Sequence, residues 1–233
     1  MLIFSGSSNL PLSKKVAKGL NLKLSGLEIH TFPDKENRVR VIDRVIDEDV
    51  VVIQSTGISP NRLYMELFFI LDSVKRSGAR STTIVVPYLG YQRQDHIFRS
   101  GEAVSLEVII RIFHSFGVDR VISFDLRSLK IEEFFKKEIS HLSALPLFAQ
   151  EIKKLKEKDI TLVSPDMGGI RRIKLLAGFL DGKVPCISIE KDRDLNTGQV
   201  KSMKVNGKVD KTAIIVDDVI STGQTLISAT DLL

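Results

Sequence analysis

The sequence has one cysteine, no long apolar stretch and no strong charge bias. The single Cys186 excludes an internal disulfide framework and is typical of a reducing compartment. No segment reaches the roughly 18–20 consecutive apolar residues of a membrane span. The first six residues lack the basic leader and apolar core of a signal peptide. We therefore expect a soluble, cytoplasmic protein with no membrane partner.

The charge balance excludes little else. The 233 residues include 34 Lys and Arg against 29 Asp and Glu, a net charge of +5. So small an excess does not require a nucleic-acid partner, and none is expected, because a pocket for phosphorylated metabolites accounts for it equally well. With 43% hydrophobic and 27% charged residues, the composition is that of a globular protein. The length allows one large domain or two modest ones.

The hydrophobic pattern predicts an α/β fold. Short β-branched runs alternate with stretches that repeat at helical spacing, such as residues 63–74 and 106–116. Several runs are apolar at consecutive positions, as strands of a parallel sheet with both faces buried are. The predicted strands are Leu2–Phe4, Leu27–Thr31, Arg38–Ile42, Val50–Gln54, Thr82–Pro87, Arg120–Phe124, Ile160–Ser164, Val184–Ile189 and Ala213–Val216. A charged patch and a proline within residues 136–146 precede a predicted helix over Leu147–Lys158, which predicts domains at 1–142 and 143–233.

The most informative stretch follows the predicted strand Ala213–Val216, where two acids precede a turn of small residues. Open α/β sheets bind ligands at the carboxyl ends of their strands. Amides and hydroxyls of residues 221–225, at a helix start, would face an anion. Asp217 and Asp218 suit sugar hydroxyls instead, directly or through a divalent cation. The alternative is an acidic turn and an ordinary helix cap.

Three further segments place polar residues beside predicted strands. Arg93 can stack on a purine or bind phosphate, and Gln94 can form hydrogen bonds with either. The segment FPDKE, residues 32–36, joins an aromatic ring to carboxylates and could bind adenine. Asp166 precedes two glycines at a strand end. Taken singly, each segment is also explained by packing, a solvated loop or a helix cap.

Together these segments resemble the ribose-phosphate pyrophosphokinase family. The matching pieces, in family order along nearly the whole chain, are FPDKE, VVIQST, PYLGYQRQD, RSGEAVS, GVDRVISFDL, VSPDMGG and IIVDDVISTGQT. The resemblance implies two tandem phosphoribosyltransferase-like (Rossmann-like) domains in a homo-oligomer, either a dimer or a hexamer. It implies transfer of diphosphate from ATP to ribose 5-phosphate, with Mg²⁺ as cofactor.

The resemblance also implies roles for individual residues. The residues implied for ribose 5-phosphate are Asp217, Asp218, Ser221, Thr222, Gly223, Gln224 and Thr225. The residues implied for ATP are Arg93 and Gln94, with Phe32, Asp34 and Glu36 lining the adenine pocket from a neighbouring subunit. Asp166 matches a magnesium-associated acid, and Lys191 and Arg193 match the two cations of a mobile catalytic loop.

The chain departs from the family pattern at four positions. Arg127 stands where the family usually has a histidine that binds magnesium, and arginine has no lone pair for a metal. Lys35 and Gln224 replace usual glycines, and Asp192 stands where a basic residue often lies.

These departures leave other functions open. Arg127 motivates a second hypothesis, a catalytically weak homologue that binds nucleotides or phosphosugars and regulates an active synthetase. A third is a phosphoribosyltransferase, which would need no ATP. The chain ends at Leu233, eight residues after Thr225, so we expect an incomplete second domain with a poorly covered last strand and helix.

Overall fold

The computed structural model describes residues 1–180, 184–193 and 200–233. The chain forms two compact units, unit 1 over Met1–Leu142 and unit 2 over Ser143–Leu233. Each unit has its own sheet and its own buried core.

Unit 1 is built on a five-stranded parallel sheet in the order β1-β4-β5-β6-β7, and β2 and β3 form a separate antiparallel hairpin. Its strands are β1 (Leu2–Ser5), β2 (Leu27–Thr31), β3 (Asn37–Val41), β4 (Asp49–Ile53), β5 (Ser81–Val86), β6 (Arg120–Phe124) and β7 (Glu138–Leu142). Its α-helices are α1 (Leu10–Gly19), α2 (Pro60–Arg76) and α3 (Ser105–Ser115), and a 3₁₀ helix spans Leu129–Phe134.

The core of unit 1 lies between the sheet and its helices. Apolar side chains of α2 and α3 at helical spacing, such as Leu67, Val74 and Ile110, are fully buried. They pack in one cluster with Ile84 and Val86 of β5. This burial fixes the sheet, and the loops after its strands carry the predicted nucleotide residues.

Unit 2 contains a four-stranded sheet in the order β10-β9-β8-β11. Its elements are α4 (Leu145–Lys154), β8 (Ile160–Ser164), a 3₁₀ turn (Met167–Gly169), α5 (Ile170–Phe179), β9 (Cys186–Arg193), β10 (Val200–Asn206), β11 (Thr212–Ile215) and α6 (Gln224–Thr230). Strand β8 pairs in parallel with β9 and β11, whereas β9 and β10 are antiparallel. Every residue of β8 is buried, as expected for a strand with neighbours on both sides.

The predicted α/β class with mainly parallel sheets is confirmed. Two strands, β7 and β10, have no counterpart among the predicted ones, because polar residues interrupt their apolar residues and no continuous apolar run marks them. The predicted helix at 147–158 lies at Leu145–Lys154, and the predicted strand at 184–189 lies at Cys186–Arg193. Within the described ranges, no helix has the length and apolarity to cross a membrane.

Candidate active site

The loop after β5 carries Arg93 and Gln94, two of the residues predicted to bind ATP. The Gly90 N–H donates to Thr56 Oγ1 at 2.8 Å, and the Gly90 carbonyl accepts from the Tyr64 hydroxyl at 3.0 Å. A Cβ atom at Gly90 would lie 2.8 Å from the Thr56 carbonyl oxygen, so this close approach requires glycine. Buried contacts therefore fix the position of the loop.

Arg93 and Gln94 follow on the same loop. The Gln94 N–H donates to the Tyr91 carbonyl at 2.8 Å, and the Gln94 carbonyl accepts from the N–H of Leu106 in α3 at 3.2 Å. The Arg93 side chain is exposed and that of Gln94 is half-buried. An exposed guanidinium on an anchored backbone can bind an anionic ligand with little reorganisation.

The neighbouring loop after β6 is tied to this one. The Arg127 N–H donates to Gln92 Oε1 at 2.8 Å, and the Leu126 N–H donates to His141 Nε2 at 2.9 Å. Asp125 has a φ of 43°, in the left-handed region, where the chain leaves the strand. Both loops follow the carboxyl ends of parallel strands, so Arg93 and the exposed Arg127 lie at the same end of the sheet.

The segment FPDKE forms the turn between β2 and β3, in a separate sheet from these loops. The Phe32 N–H donates to the Glu36 carbonyl at 2.8 Å, and the Glu36 N–H donates to Asp34 Oδ1 at 3.1 Å. The Phe32 ring is 37% exposed, with the Arg38 guanidinium 5.9 Å from its centroid. An exposed aromatic ring on a protruding turn is a surface that a planar base or a neighbouring subunit can cover.

The backbone conformation differs between the two positions, Lys35 and Gln224, where the family usually has glycine. The φ of Lys35 is 75°, a left-handed conformation that glycine adopts without a steric cost and lysine does not. Gln224, the other replacement of a usual glycine, begins α6, and the left-handed φ of 79° falls on Gly223 before it. Its backbone thus keeps a conformation open to residues other than glycine.

Asp166 lies in unit 2 just after β8. Its Oδ1 accepts from the Gly169 N–H at 3.1 Å, so the residue caps the 3₁₀ turn, as the cap interpretation predicts. A Cβ atom at Gly169 would lie 2.3 Å from Ser164 Oγ, so the Ser164 hydroxyl would have to move to admit any other residue. The cap orients the carboxyl group, and the side chain stays exposed.

Asp217 and Asp218 follow β11, the strand beside β8. The Asp218 N–H donates to Asp217 Oδ1 at 2.8 Å, and the Arg172 guanidinium lies 3.3 Å from Asp218 Oδ2. Burial, with the neighbouring Asp218 and Asp166, raises the pKa of Asp217 to about 6. Burial would also raise the pKa of Asp218, but hydrogen bonding to Asp217 and the charge of Arg172 outweigh it and lower that pKa. The pair therefore contains one firmly ionised and one readily protonated carboxyl group.

Arg172 has no assigned role in the sequence prediction. Its side chain is 19% exposed and pairs with Asp218, which is 22% exposed. A partly buried ion pair of this kind orients the carboxylate. The feature of the sequence that could have pointed to Arg172 is the pair of arginines, Arg171 and Arg172, at the start of the helix after Asp166.

The predicted phosphate loop spans residues 221–225. Gly223 adopts a left-handed φ of 79°, and the Gln224 N–H lies 3.4 Å from Thr222 Oγ1 at the start of α6. The side chains of Ser221, Thr222 and Thr225 are exposed. The loop therefore presents hydroxyls and amides at the end of β11, beside the two acids.

The predicted catalytic cations lie in β9. Lys191 pairs with Met203 and Arg193 with Val200 in the antiparallel ladder with β10. The side chains of Lys191 and Arg193 lie outside what the structure describes, and so do residues 194–199 of the predicted lid. Their catalytic role stays a prediction.

The acids of unit 2 suit a hard cation. Among the described residues, no three His, Cys, Asp or Glu side chains form a group that could hold a metal alone. Asp166 and Asp217 interact electrostatically, and carboxylate oxygens are the ligands that Mg²⁺ prefers. Because Mg²⁺ is usually bound by one or two carboxylates together with substrate phosphates and water, these residues fit such an ion.

Comparisons with known proteins agree along the chain. Residues 1–117 match the sequence model for the N-terminal domain of ribose phosphate pyrophosphokinase, and residues 132–233 match that for the phosphoribosyl transferase domain. A ribose-phosphate pyrophosphokinase from Fusobacterium nucleatum is 36% identical over 98% of this chain and 72% of its own. One from Rhizobium meliloti is 35% identical over 100% of this chain and 75% of its own. The crystal structure of phosphoribosylpyrophosphate synthetase from Mycobacterium smegmatis superposes with a TM-score of 0.90 at 32% identity, covering 99% of this chain and 75% of that one.

Proposed function

Because the chain belongs to the ribose-phosphate pyrophosphokinase family, we propose that it transfers the diphosphate group of ATP to ribose 5-phosphate. The products are 5-phosphoribosyl 1-diphosphate and AMP. The observation that carries the proposal is the match at 36% identity over 98% of the chain. In the reaction, the anomeric oxygen bonds to the β-phosphorus, the bond from that phosphorus to the oxygen of AMP breaks, and the hydroxyl proton leaves to solvent or a base.

Unit 2 supplies the sugar-phosphate site in this proposal. Ser221, Thr222 and Thr225 donate hydroxyl hydrogen bonds to the 5-phosphate, and the amides of Gly223 and Gln224 complete the loop. Asp217 and Asp218 accept from ribose hydroxyls. Arg172 supports that role, because it pairs with Asp218 at 3.3 Å and keeps its carboxylate ionised and oriented.

Unit 1 supplies the nucleotide site. Arg93 and Gln94, on the loop anchored by Gly90, contact ATP. Phe32, Asp34 and Glu36, on the exposed β2–β3 turn, line the adenine pocket of a neighbouring subunit. The protein then acts as a homo-oligomer, a dimer or a hexamer, in the cytoplasm.

Charge neutralisation comes from several groups. Asp166, together with substrate phosphates and water, would hold Mg²⁺, which would withdraw charge from the phosphates. Lys191 and Arg193 are the proposed catalytic cations. Arg127 cannot be a metal ligand, so we assign its guanidinium to the phosphates directly. Its exposure on a tethered loop supports this assignment.

The proposal is tested by following both products. The protein incubated with ATP, ribose 5-phosphate and Mg²⁺ should form AMP and 5-phosphoribosyl 1-diphosphate in equal amounts, measured by ion-exchange chromatography. Omission of ribose 5-phosphate is the control and should abolish AMP formation. Binding of both substrates without product, across metals and phosphate concentrations, would contradict the proposal and favour a regulatory homologue. Consumption of 5-phosphoribosyl 1-diphosphate with a nucleobase would favour a phosphoribosyltransferase.

A further inference from the structure

Two consecutive backbone amides in the loop after β6 are held by side chains from elsewhere in unit 1. The Leu126 N–H donates to His141 Nε2 at 2.9 Å, and the Arg127 N–H donates to Gln92 Oε1 at 2.8 Å. His141 Nδ1 lies 3.3 Å from a Glu132 carboxylate oxygen. With Nε2 accepting, the imidazole proton is on Nδ1 and faces this carboxylate. The backbone before the Arg127 side chain is therefore fixed from two sides.

Gln92 is the buried member of this arrangement. It is 4% exposed, whereas its neighbour Arg93 is exposed, so adjacent residues of one loop face in different directions. Burying a primary amide costs free energy unless its polar atoms are paired. Here the amide oxygen accepts from the loop that carries Arg127, 35 residues later in the chain. One side chain thus links the two loops that carry the exposed arginines.

We infer that Gln92 is a positioning residue that acts through Arg127, by fixing the Arg127 backbone relative to the loop of Arg93 and Gln94. The inference rests on the proposed function, in which Arg93 contacts ATP and Arg127 binds its phosphates. An arginine side chain is long and flexible, so the backbone position decides which phosphate oxygens it reaches. Displacement of a binding group by about 1 Å can cost on the order of 100-fold in rate.

Two substitutions at position 92 distinguish the effect of losing the hydrogen-bond acceptor from the effect of changing the side-chain volume. Gln92→Met keeps the volume and removes the acceptor, and it should lower kcat by about 10- to 100-fold. The KM for ribose 5-phosphate should stay within about 2-fold, because that substrate is bound by unit 2 in the proposal. Gln92→Glu keeps an oxygen acceptor but buries a carboxyl group, so its kcat should lie above that of Gln92→Met and below the wild-type value.

Ser123→Ala is the matched control for loss of a buried hydrogen bond. Ser123 is fully buried in β6, and its hydroxyl donates to the Val86 carbonyl of β5 at 2.9 Å, a hydrogen bond that involves neither Gln92 nor Arg127. Melting temperatures of both variants measure the structural cost. If Gln92→Met and Ser123→Ala lower the melting temperature and kcat alike, Gln92 is merely structural and the inference fails.

A double-mutant cycle with Arg127→Met decides whether Gln92 acts through Arg127. With Arg127→Met already present, adding Gln92→Met should change kcat by less than about 2-fold, because the positioned group is gone. An equal loss of kcat in both backgrounds would overturn the inference. The same cycle measured as Kd for a non-hydrolysable ATP analogue needs no turnover and is expected to show the same non-additivity. If the wild-type protein is inactive, the proposed function is contradicted, but the coupling between Gln92 and Arg127 can still be measured from these Kd values.

Discussion

At the scale of single residues, the Asp217–Asp218 pair shows how the surroundings give adjacent identical side chains different properties. Arg172 lies against Asp218 and not against Asp217, and Asp166 adds negative charge near Asp217. The ionised Asp218 suits a sugar hydroxyl as a fixed acceptor. Asp217, with a pKa of about 6, can release its proton to solvent, and a cation bound beside it would favour that release by stabilising the carboxylate.

This difference predicts a pH-dependent effect of Asp217→Asn on stability. The pKa of Asp217 is raised from 3.8 to about 6 in the folded protein, so between these values the folded state binds more protons than the unfolded state. The stabilisation is complete below about pH 4 and is lost as the pH rises through 6. Asp217→Asn should therefore raise the free energy of unfolding at pH 7.5 by about 1 kcal/mol, after allowance for solvent screening, and change it little at pH 4.

Urea denaturation at the two pH values measures this effect. Glu157→Gln, which removes an exposed carboxylate of the same unit, is the control and should give no comparable gain at pH 7.5. Equal effects of Asp217→Asn at both pH values would show that Asp217 is ionised at no extra cost in the folded protein.

Single residues also mark a limit of sequence-based prediction. The position of the acids and small residues of 217–225 between a strand and a helix could be predicted from the sequence, because their order after an apolar run is itself the signal, and their binding role stays a prediction. The contact between Gln92 and the Arg127 N–H could not, since it joins positions 35 residues apart and depends on how two loops pack. The left-handed φ of Lys35 has no signal in lysine itself, and only the usual glycine of the family pattern points to it.

At the scale of elements, burial decides which strands are predictable. Strands β6 and β8 have the predicted boundaries, since β-branched and apolar residues fill them. Strands β7 and β10 are edge strands with polar sequences, and the charged residues near β7 instead suggested a domain break. The edge strands β1 and β11, by contrast, carry apolar runs and were predicted, so the apolar run and not the number of neighbours decides the outcome.

The loop after β5 gives a prediction at this scale. Gly90→Ala would place a Cβ atom 2.8 Å from the Thr56 carbonyl oxygen and 3.2 Å from the Tyr64 ring. We expect it to lower the free energy of unfolding by about 2 kcal/mol. Because the loop must move, the KM for ATP should also rise, while that for ribose 5-phosphate stays unchanged.

Gly19→Ala is the matched control for Gly90→Ala. A Cβ atom at Gly19, the last residue of α1, would meet no atom within 4 Å, and its φ is not positive. It should change stability by less than about 1 kcal/mol. Chemical denaturation and initial rates measure both variants. A Gly90→Ala protein as stable and active as Gly19→Ala would show that the loop is not fixed as the contacts indicate.

At the scale of the whole molecule, the proposed reaction requires both units. The residues assigned to ATP lie in unit 1, and those assigned to ribose 5-phosphate lie in unit 2. Each unit has its own core, so substitutions in one are expected to leave the fold of the other intact. The family could be predicted from motif order along the chain.

The central claim is that the anomeric oxygen of ribose 5-phosphate attacks the β-phosphorus of ATP. Ribose 5-phosphate labelled with ¹⁸O at the anomeric position tests it directly when the products are examined by ³¹P NMR. We expect an isotope shift on the phosphorus attached to the sugar oxygen in 5-phosphoribosyl 1-diphosphate, and AMP without label. Appearance of the label in AMP or inorganic phosphate, or ATP breakdown without a labelled diphosphate product, would contradict it.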